Sequence, residues 1–260
     1  MRAVIDSAGP IGLGTYRLGK QTYFACRTAL ELGYRHLDTA ALYRNEAEVA
    51  RAIADSGIPR QEIFVTSKIP LKAIQSGCLE DAAGRSLERL GAIDLLLLHA
   101  PGPDPRSAWE TLLKIKNWEA IADVGVSNFN IRQLQPIEDS PPRWNQIEIS
   151  PFLQRRELVR YCDRHNIHII AHSPLVKGRK FDNLELRALS YDCGCTPAQL
   201  LLAWSIHCGF MTLPRSSKRE HLQENWQAKK IILPNEIMQK LSNFEEGYAT
   251  HPQHSKPNNK

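Results

Sequence analysis

Tyr34-Arg35-His36-Leu37-Asp38-Thr39-Ala40-Ala41-Leu42-Tyr43-Arg44-Asn45-Glu46 is the stretch on which the fold turns. It reads as a short strand ending at Leu37, then a loop bearing a carboxylate and a phenol, then a helix that starts near Asn45. A polar loop directly after an apolar strand is where barrel enzymes carry their chemistry. Free tyrosine titrates near ~10, so a phenol that trades protons near neutrality needs a positive charge favouring the phenolate. Two later strands end in candidates: Ile63-Phe64-Val65-Thr66-Ser67-Lys68 supplies an amine, and Asp94-Leu95-Leu96-Leu97-Leu98-His99 an imidazole.

The same unit repeats after Gly14: a short apolar run ending in polar residues, then a segment of helical periodicity. The expected strands are 11–14, 36–37, 63–66, 95–98, 124–126, 144–147, 167–171 and 210–213. Expected helices include 21–32, 46–55, 79–90, 106–118, 156–165 and 197–208. Strands buried on both faces need not alternate, and intervening helices suit parallel crossovers. Thr196 before Pro197 reads as an N-cap followed by a first-turn proline. Eight such units in about 250 residues predict an α/β fold of the (β/α)8 TIM-barrel type. The alternative, an open doubly wound sheet, calls for a glycine fingerprint at its first turn. Gly12-Leu13-Gly14-Thr15-Tyr16-Arg17 lacks the third glycine.

With 260 residues, 42% of them hydrophobic, the chain can bury a large core, and one barrel accounts for residues 1–246 as a single domain. Residues 247–260, with Pro252, Pro257 and Asn258-Asn259, have little to bury and are expected to be a mobile tail. Met1 to Gly14 has no signal-peptide core, and no run approaches the ~18 apolar residues of a membrane helix, so a cytoplasmic protein with no membrane partner is expected. The six cysteines are scattered, and the close-set Cys193-Gly194-Cys195 lacks zinc-site spacing; reduced thiols and no metal are expected. The net charge of +5 arises from short clusters such as Lys218-Arg219. No nucleic-acid recognition motif accompanies them, and a phosphate-bearing small ligand explains them. Gly125-Val126-Ser127-Asn128-Phe129 lacks the closing glycine of a nucleophile elbow, and neither GxxxxGK[ST] nor HExxH occurs, which argues against a hydrolase or nucleotidase.

Asp38, Tyr43, Lys68 and His99, in this order and setting, resemble the catalytic tetrad of the aldo-keto reductases. Further matches are Gly12-Leu13-Gly14-Thr15-Tyr16, Gly125-Val126-Ser127-Asn128-Phe129, Asn145-Gln146-Ile147-Glu148, Ser173-Pro174-Leu175, and Pro214-Arg215-Ser216 with Glu224-Asn225. The resemblance covers nearly the whole chain and is greatest to the short bacterial-type members that reduce methylglyoxal and 2,5-diketo-gluconate. It implies hydride transfer from a nicotinamide to a carbonyl carbon, with Tyr43 as general acid. Lys68 would lower the pKa of Tyr43, Asp38 would hold Lys68 charged, and His99 would hydrogen-bond the carbonyl or relay a proton. Taken singly, each has a bland reading: Asp38 as a helix cap, Tyr43 as a wall, His99 as a satisfied buried histidine.

The resemblance also implies a cofactor site. Ser127, Asn128 and Gln146 would hold the carboxamide, and residues Ser173, Leu175 and on to Lys177 the phosphates. Arg215 and Ser216 would clamp the 2′-phosphate of NADPH, with Glu224 and Asn225 near the adenine; an arginine fork suits a phosphate. Several positions depart from the family's pattern. His172 replaces the aromatic that stacks on the nicotinamide, and His221 replaces an arginine common in NADPH-dependent members, so some use of NADH is expected. Of the substrate walls only Tyr16 remains aromatic, with Pro70 and Ala100 where tryptophans are common. No long C-terminal loop is present to grip large substrates. No glycine stands in the turn 118–123 before the fifth strand, where a positive φ would be strained. A monomeric NADPH-dependent reductase of small carbonyl compounds is expected; the alternative is a nicotinamide-binding regulatory or sensor protein on the same barrel.

Overall fold

The structure, a computed structural model, describes residues 9–251. Eight parallel strands form one sheet in sequential order: β1 (Leu13–Gly14), β2 (His36–Asp38), β3 (Phe64–Ile69), β4 (Ile93–Leu98), β5 (Ile121–Ser127), β6 (Trp144–Glu148), β7 (His168–His172) and β8 (Met211–Leu213). The Gly12 N–H donates to Thr212 O at 2.9 Å and the Gly14 N–H to Pro214 O at 3.0 Å, which brings β8 back beside β1 and closes the ring. The helices that matter below are α1 (Thr22–Glu31), α2 (Glu46–Ala54), α3 (Pro197–His207), α4 (Arg219–Gln227) and α5 (Asn235–Ser242). The (β/α)8 expectation is met, with boundaries shifted by a few residues. At α3, Thr196 caps the Gln199 N–H and Gln199 caps back, as the Thr-Pro pair predicted.

The period of two along each strand separates two cores. Leu96 and Leu98 face the helices, where they join the large outer cluster. Leu95 and Leu97 face the axis with Phe64, Trp144, Ile170, Met211 and Leu213, filling the barrel interior. Inward positions near the floor are tightly fitted: a Cβ on Gly125 would lie 2.8 Å from the Trp144 Cβ, and one on Gly12 2.8 Å from the His36 ring. Glycine is required at both places so that a large ring can cross the axis. The same parity puts Asp38, Lys68, His99, Ser127, Gln146 and His172 in the inward rows, at or near the carboxyl ends of their strands. The fold thus gathers them at one mouth.

Two expectations need correction. The glycine-free turn before β5 carries no strain, because none of its residues has positive φ. The preceding helix stops at Ile115, Trp118 and Ile121 N–H groups close successive tight turns, and β5 begins at Ile121, three residues earlier than expected. The segment expected to be mobile from residue 247 is anchored through residue 251. The Tyr248 N–H donates to Phe152 O at 2.9 Å, and Thr250 is buried. Residues 252–260 lie outside the described residues. Among the described residues no helix is long and apolar enough to cross a membrane.

Candidate active site

At the centre of the mouth Lys68 Nζ donates to Asp38 Oδ1 at 2.6 Å and to Thr39 O at 2.8 Å. The ion pair is almost wholly buried, with 1% and 5% side-chain exposure. The second carboxylate oxygen of Asp38 accepts from Gln146 Nε2 at 2.7 Å. Tyr43 ends a single 3-10 turn (Ala41–Tyr43) after β2, and the left-handed Arg44 (φ 57°) closes it. The Lys68 nitrogen lies 5.3 Å from the centre of the Tyr43 ring, the His99 ring stands edge-on to it at 5.7 Å, and Tyr16 covers it at 5.0 Å. Asp38, Tyr43, Lys68 and His99 are therefore brought together.

The loop bearing Tyr43 is pinned by polar residues that the sequence did not single out. Thr39 Oγ1 donates to Asn45 Oδ1 at 2.7 Å, and Asn45 Nδ2 donates to Thr15 O and Thr22 Oγ1, each at 3.1 Å. Asn45 thus ties the β1 loop, α1 and the start of α2 to the turn bearing Tyr43 instead of capping a helix. Glu46, buried, accepts from Ser67 Oγ at 2.6 Å and pairs with Arg89 at 3.0 Å.

Burial dominates the titration of this group. It raises the Asp38 carboxyl and lowers the Lys68 ammonium, and each partner's charge offsets part of the other's shift. His99 is lowered to about 3 by burial first and the Lys68 charge second, so its ring is neutral at physiological pH. Tyr43 is raised well above 10 by burial, then by Asp38 and Tyr16. In the cofactor-free site burial thus favours the protonated phenol.

Beside this group lies an amide cluster. Ser127 Oγ and the Asn128 N–H both donate to Gln146 O at 2.9 Å. Asn128 Nδ2 donates to His99 O at 3.1 Å, which turns its Oδ1 toward His172 Nε2 at 2.9 Å. A carbonyl oxygen only accepts, so His172 carries its proton on Nε2, and its Nδ1 faces Ser173 Oγ at 3.3 Å. Beyond β7, the half-buried Leu175 leads into a loop where Ser173, Val176 and Lys177 all have positive φ, at 53°, 51° and 55°. Of the three, Val176 is β-branched, a residue type that rarely adopts this left-handed conformation.

A family profile described as "Aldo/keto reductase family" matches residues 10–246. The chain belongs to the aldo/keto reductase family. With the family comes oxidoreductase chemistry on carbonyl groups and dependence on a nicotinamide cofactor, typically NADPH. Methylglyoxal reductase DkgB of Escherichia coli O157:H7 is 36% identical over 236 residues, 86% of this chain and 88% of that protein. The 9,11-endoperoxide prostaglandin H2 reductase of Trypanosoma cruzi (strain CL Brener) is 36% identical over 247 residues, 91% of this chain and 87% of its own. The crystal structure of MGS-M4, an aldo-keto reductase from a Medee basin deep-sea metagenome library, superposes with a TM-score of 0.86 at 34% identity, covering 93% of each chain.

In this aldo/keto reductase the remaining expected residues are spread around the rim. Arg215 and His221 are exposed; Ser216 is half-buried and its Oγ caps the Lys218 N–H at 3.1 Å. Glu224 accepts from Thr196 Oγ1, and Asn225 is buried in the packing of α4, so the pair expected near adenine is engaged with neighbouring elements. Pro70 and Ala100 are half-buried wall residues beside Lys68 and His99. Burial first, and then the nearby charges of Arg179, Arg17 and Arg215, lower the Lys177 ammonium against the opposing pull of Glu148, so four cations gather at this part of the rim. A group of cations that depress one another is relieved by a bound phosphate. Sequence reasoning did not single out Arg17 for this group. It sits at φ 59° directly after Tyr16, with its guanidinium 5.2 Å from the centre of that ring.

Proposed function

We propose that this protein reduces small aldehydes, ketoaldehydes and ketones to alcohols with NADPH, using Tyr43 as the proton donor. The observation that carries this is the buried Lys68–Asp38 pair, 2.6 Å long, with the ammonium 5.3 Å from the Tyr43 ring. When bound, the nicotinamide supplies the hydride. Tyr43 Oη holds the proton that the carbonyl oxygen receives, and its raised pKa keeps that proton in place at neutral pH. The phenolate left behind faces an ammonium that Asp38 keeps charged, so the stabilisation is realised mainly as the proton leaves. His99, neutral, offers one N–H to the carbonyl oxygen without competing for the proton.

Ser127, Asn128 and Gln146 supply the donors and acceptors a carboxamide needs, and His172, oriented by Asn128, supplies the ring beside it. The cationic rim of Arg17, Lys177, Arg179 and Arg215 takes the phosphates, and Arg215 with Ser216 favours NADPH over NADH. Small side chains at Pro70 and Ala100 leave the carbonyl side open to small polar substrates. One chain supplies every residue named, so a monomer suffices. All six cysteines are free, in keeping with a reducing cytoplasm. No observation favours the sensor reading.

The test is Tyr43→Phe, assayed by NADPH absorbance with methylglyoxal and other small aldehydes. Loss of a general acid costs about 10²–10⁴ in turnover. NADPH binding should be nearly unchanged. Full activity in the variant would end the assignment of Tyr43.

A further inference from the structure

After α5 the chain returns across the barrel mouth. Tyr248 is fixed to Phe152 O, and Lys180 pairs with Glu246 at 2.5 Å while lying 4.3 Å from the centre of the Tyr248 ring. Both the N–H and the hydroxyl of Thr250 donate to the same oxygen of Glu148, at the end of β6, at 2.5 Å each. Lys177 Nζ donates to Thr250 O at 3.1 Å. These clasps deliver His251 to a point 6.3 Å from the Tyr16 ring and 6.3 Å from the His172 ring.

That point is incompatible with an occupied nicotinamide site of the kind proposed above. A flat ring between His172 and His251 needs two contacts of ~3.5–4.0 Å, about 7 Å or more between the flanking rings. The His172 and His251 rings instead meet edge to face, centroids 6.3 Å apart and planes at 79°, which leaves no slot for a third ring between them. The clasp residue Lys177 is also one of the rim cations that a diphosphate would recruit, and it sits in the strained loop where Val176 and Lys177 have φ of 51° and 55°. A phosphate that draws Lys177 away removes the bond holding Thr250 O.

We propose that residues 247–251 form a strap that plugs the nicotinamide pocket of the cofactor-free enzyme with His251, and that binding of the cofactor's phosphates at Lys177 releases it. The proposal rests on the cofactor placement given under Proposed function. The strap makes the binding-competent state a fraction of the whole and weakens apparent affinity by that fraction. The His251 plug acts on ligands that carry a nicotinamide; a fragment that ends at the adenosine phosphates has no ring to seat behind His251 and meets the strap only through its claim on Lys177.

The test uses the full-length protein and two probes, NADPH and adenosine 2′,5′-bisphosphate, titrated by tryptophan fluorescence. His251→Ala should tighten NADPH by about 3–10-fold, the gain expected when a mostly closed state is opened, and leave the bisphosphate unchanged. Thr250→Ala, which loosens the clasp without touching the pocket, should shift NADPH the same way by less. In hydrogen exchange of the wild type, the amides of Tyr248 and Thr250 should exchange faster once NADPH is bound. Unchanged or slower exchange, or equal NADPH affinity in wild type and His251→Ala, overturns the strap while leaving the cofactor site standing. Failure of the wild type to bind NADPH overturns both.

Discussion

Acid should destabilise this barrel through a histidine that takes no part in its chemistry. His36 lies on the axis below the tetrad, wholly buried, with Nε2 2.9 Å from Thr66 Oγ1 and the ring edge-on to Phe64 at 5.0 Å. Its Nδ1 is buried without a partner among the described residues. Burial, and secondarily the Lys68 charge, lowers its pKa to about 3. The unfolded chain binds the proton below ~6.5 while the folded chain refuses it, so stability is full above that value and falls as pH drops. The loss is set by the unfolded pKa until pH nears 3: about 1.4 kcal/mol at pH 5.5 and about 2.7 at pH 4.5. His99, lowered to about 3 as well, adds a loss of the same sign. Urea unfolding of the cofactor-free protein at pH 7.5 and 5.5 measures the sum, and His36→Asn isolates one share. The variant is less stable throughout for packing reasons, but its loss between the two pH values should be smaller than wild type's by about 1.4 kcal/mol. Parallel pH dependence in the two proteins would refute the buried, neutral assignment of His36.

Two further outcomes follow from the mouth of the barrel. Asp38→Asn leaves the Lys68 ammonium buried with Thr39 O and only the more distant Glu46 charge; breaking a buried pair from one side costs about 3–5 kcal/mol. Because a lone buried ammonium releases its proton more easily folded than unfolded, the deficit in a denaturation experiment should shrink as pH rises from 7 to 9.5, and a pH-independent deficit would mean Lys68 was not the cause. Arg215→Ala should weaken NADPH by one to two decades, the ~1.5–3 kcal/mol of a charge-assisted contact, and leave NADH nearly unaffected; equal losses for both in dissociation-constant measurements would remove Arg215 from the 2′-phosphate.

The barrel and the gathering of Asp38, Tyr43, Lys68 and His99 at one mouth were legible because both rest on local order. Polar residues at the ends of apolar runs stay at strand ends whatever the helices do, and a period of two decides which of them face the axis. His99 could be placed on that basis because it continues the inward row of Leu95 and Leu97. Asn45 could not. An asparagine before Glu46 reads as a helix cap, and only closure of the β1 loop over α1 offers its amide three better partners. The strap was illegible for a related reason. A tail of glycine, proline and small polar residues has no apolar periodicity, and its anchor is one threonine meeting one glutamate 102 positions away. The turn before β5 failed differently: a missing glycine signalled strain only if the helix ran to Trp118, and it stops at Ile115.

The Lys68–Asp38 pair is a poor device for stability, and that is the reason to read it as chemistry. Desolvating two charges costs several kcal/mol per ion before their attraction returns it, and apolar residues of similar size often do as well or better. Below the mouth this barrel fills much of its axis with apolar side chains such as Leu95, Leu97, Ile170 and Leu213. At the mouth it instead buries an ammonium, a carboxylate, a phenol and a neutral imidazole against one another. Burial shifts each of them away from its ordinary titration range, toward its neutral form. Perturbed groups of this kind, clustered at the carboxyl ends of three barrel strands, mark a functional site. The arrangement is costly for a resting phenolate and favourable for one formed as a proton leaves toward a substrate oxygen. That difference between ground state and transition state is what accelerates a reaction.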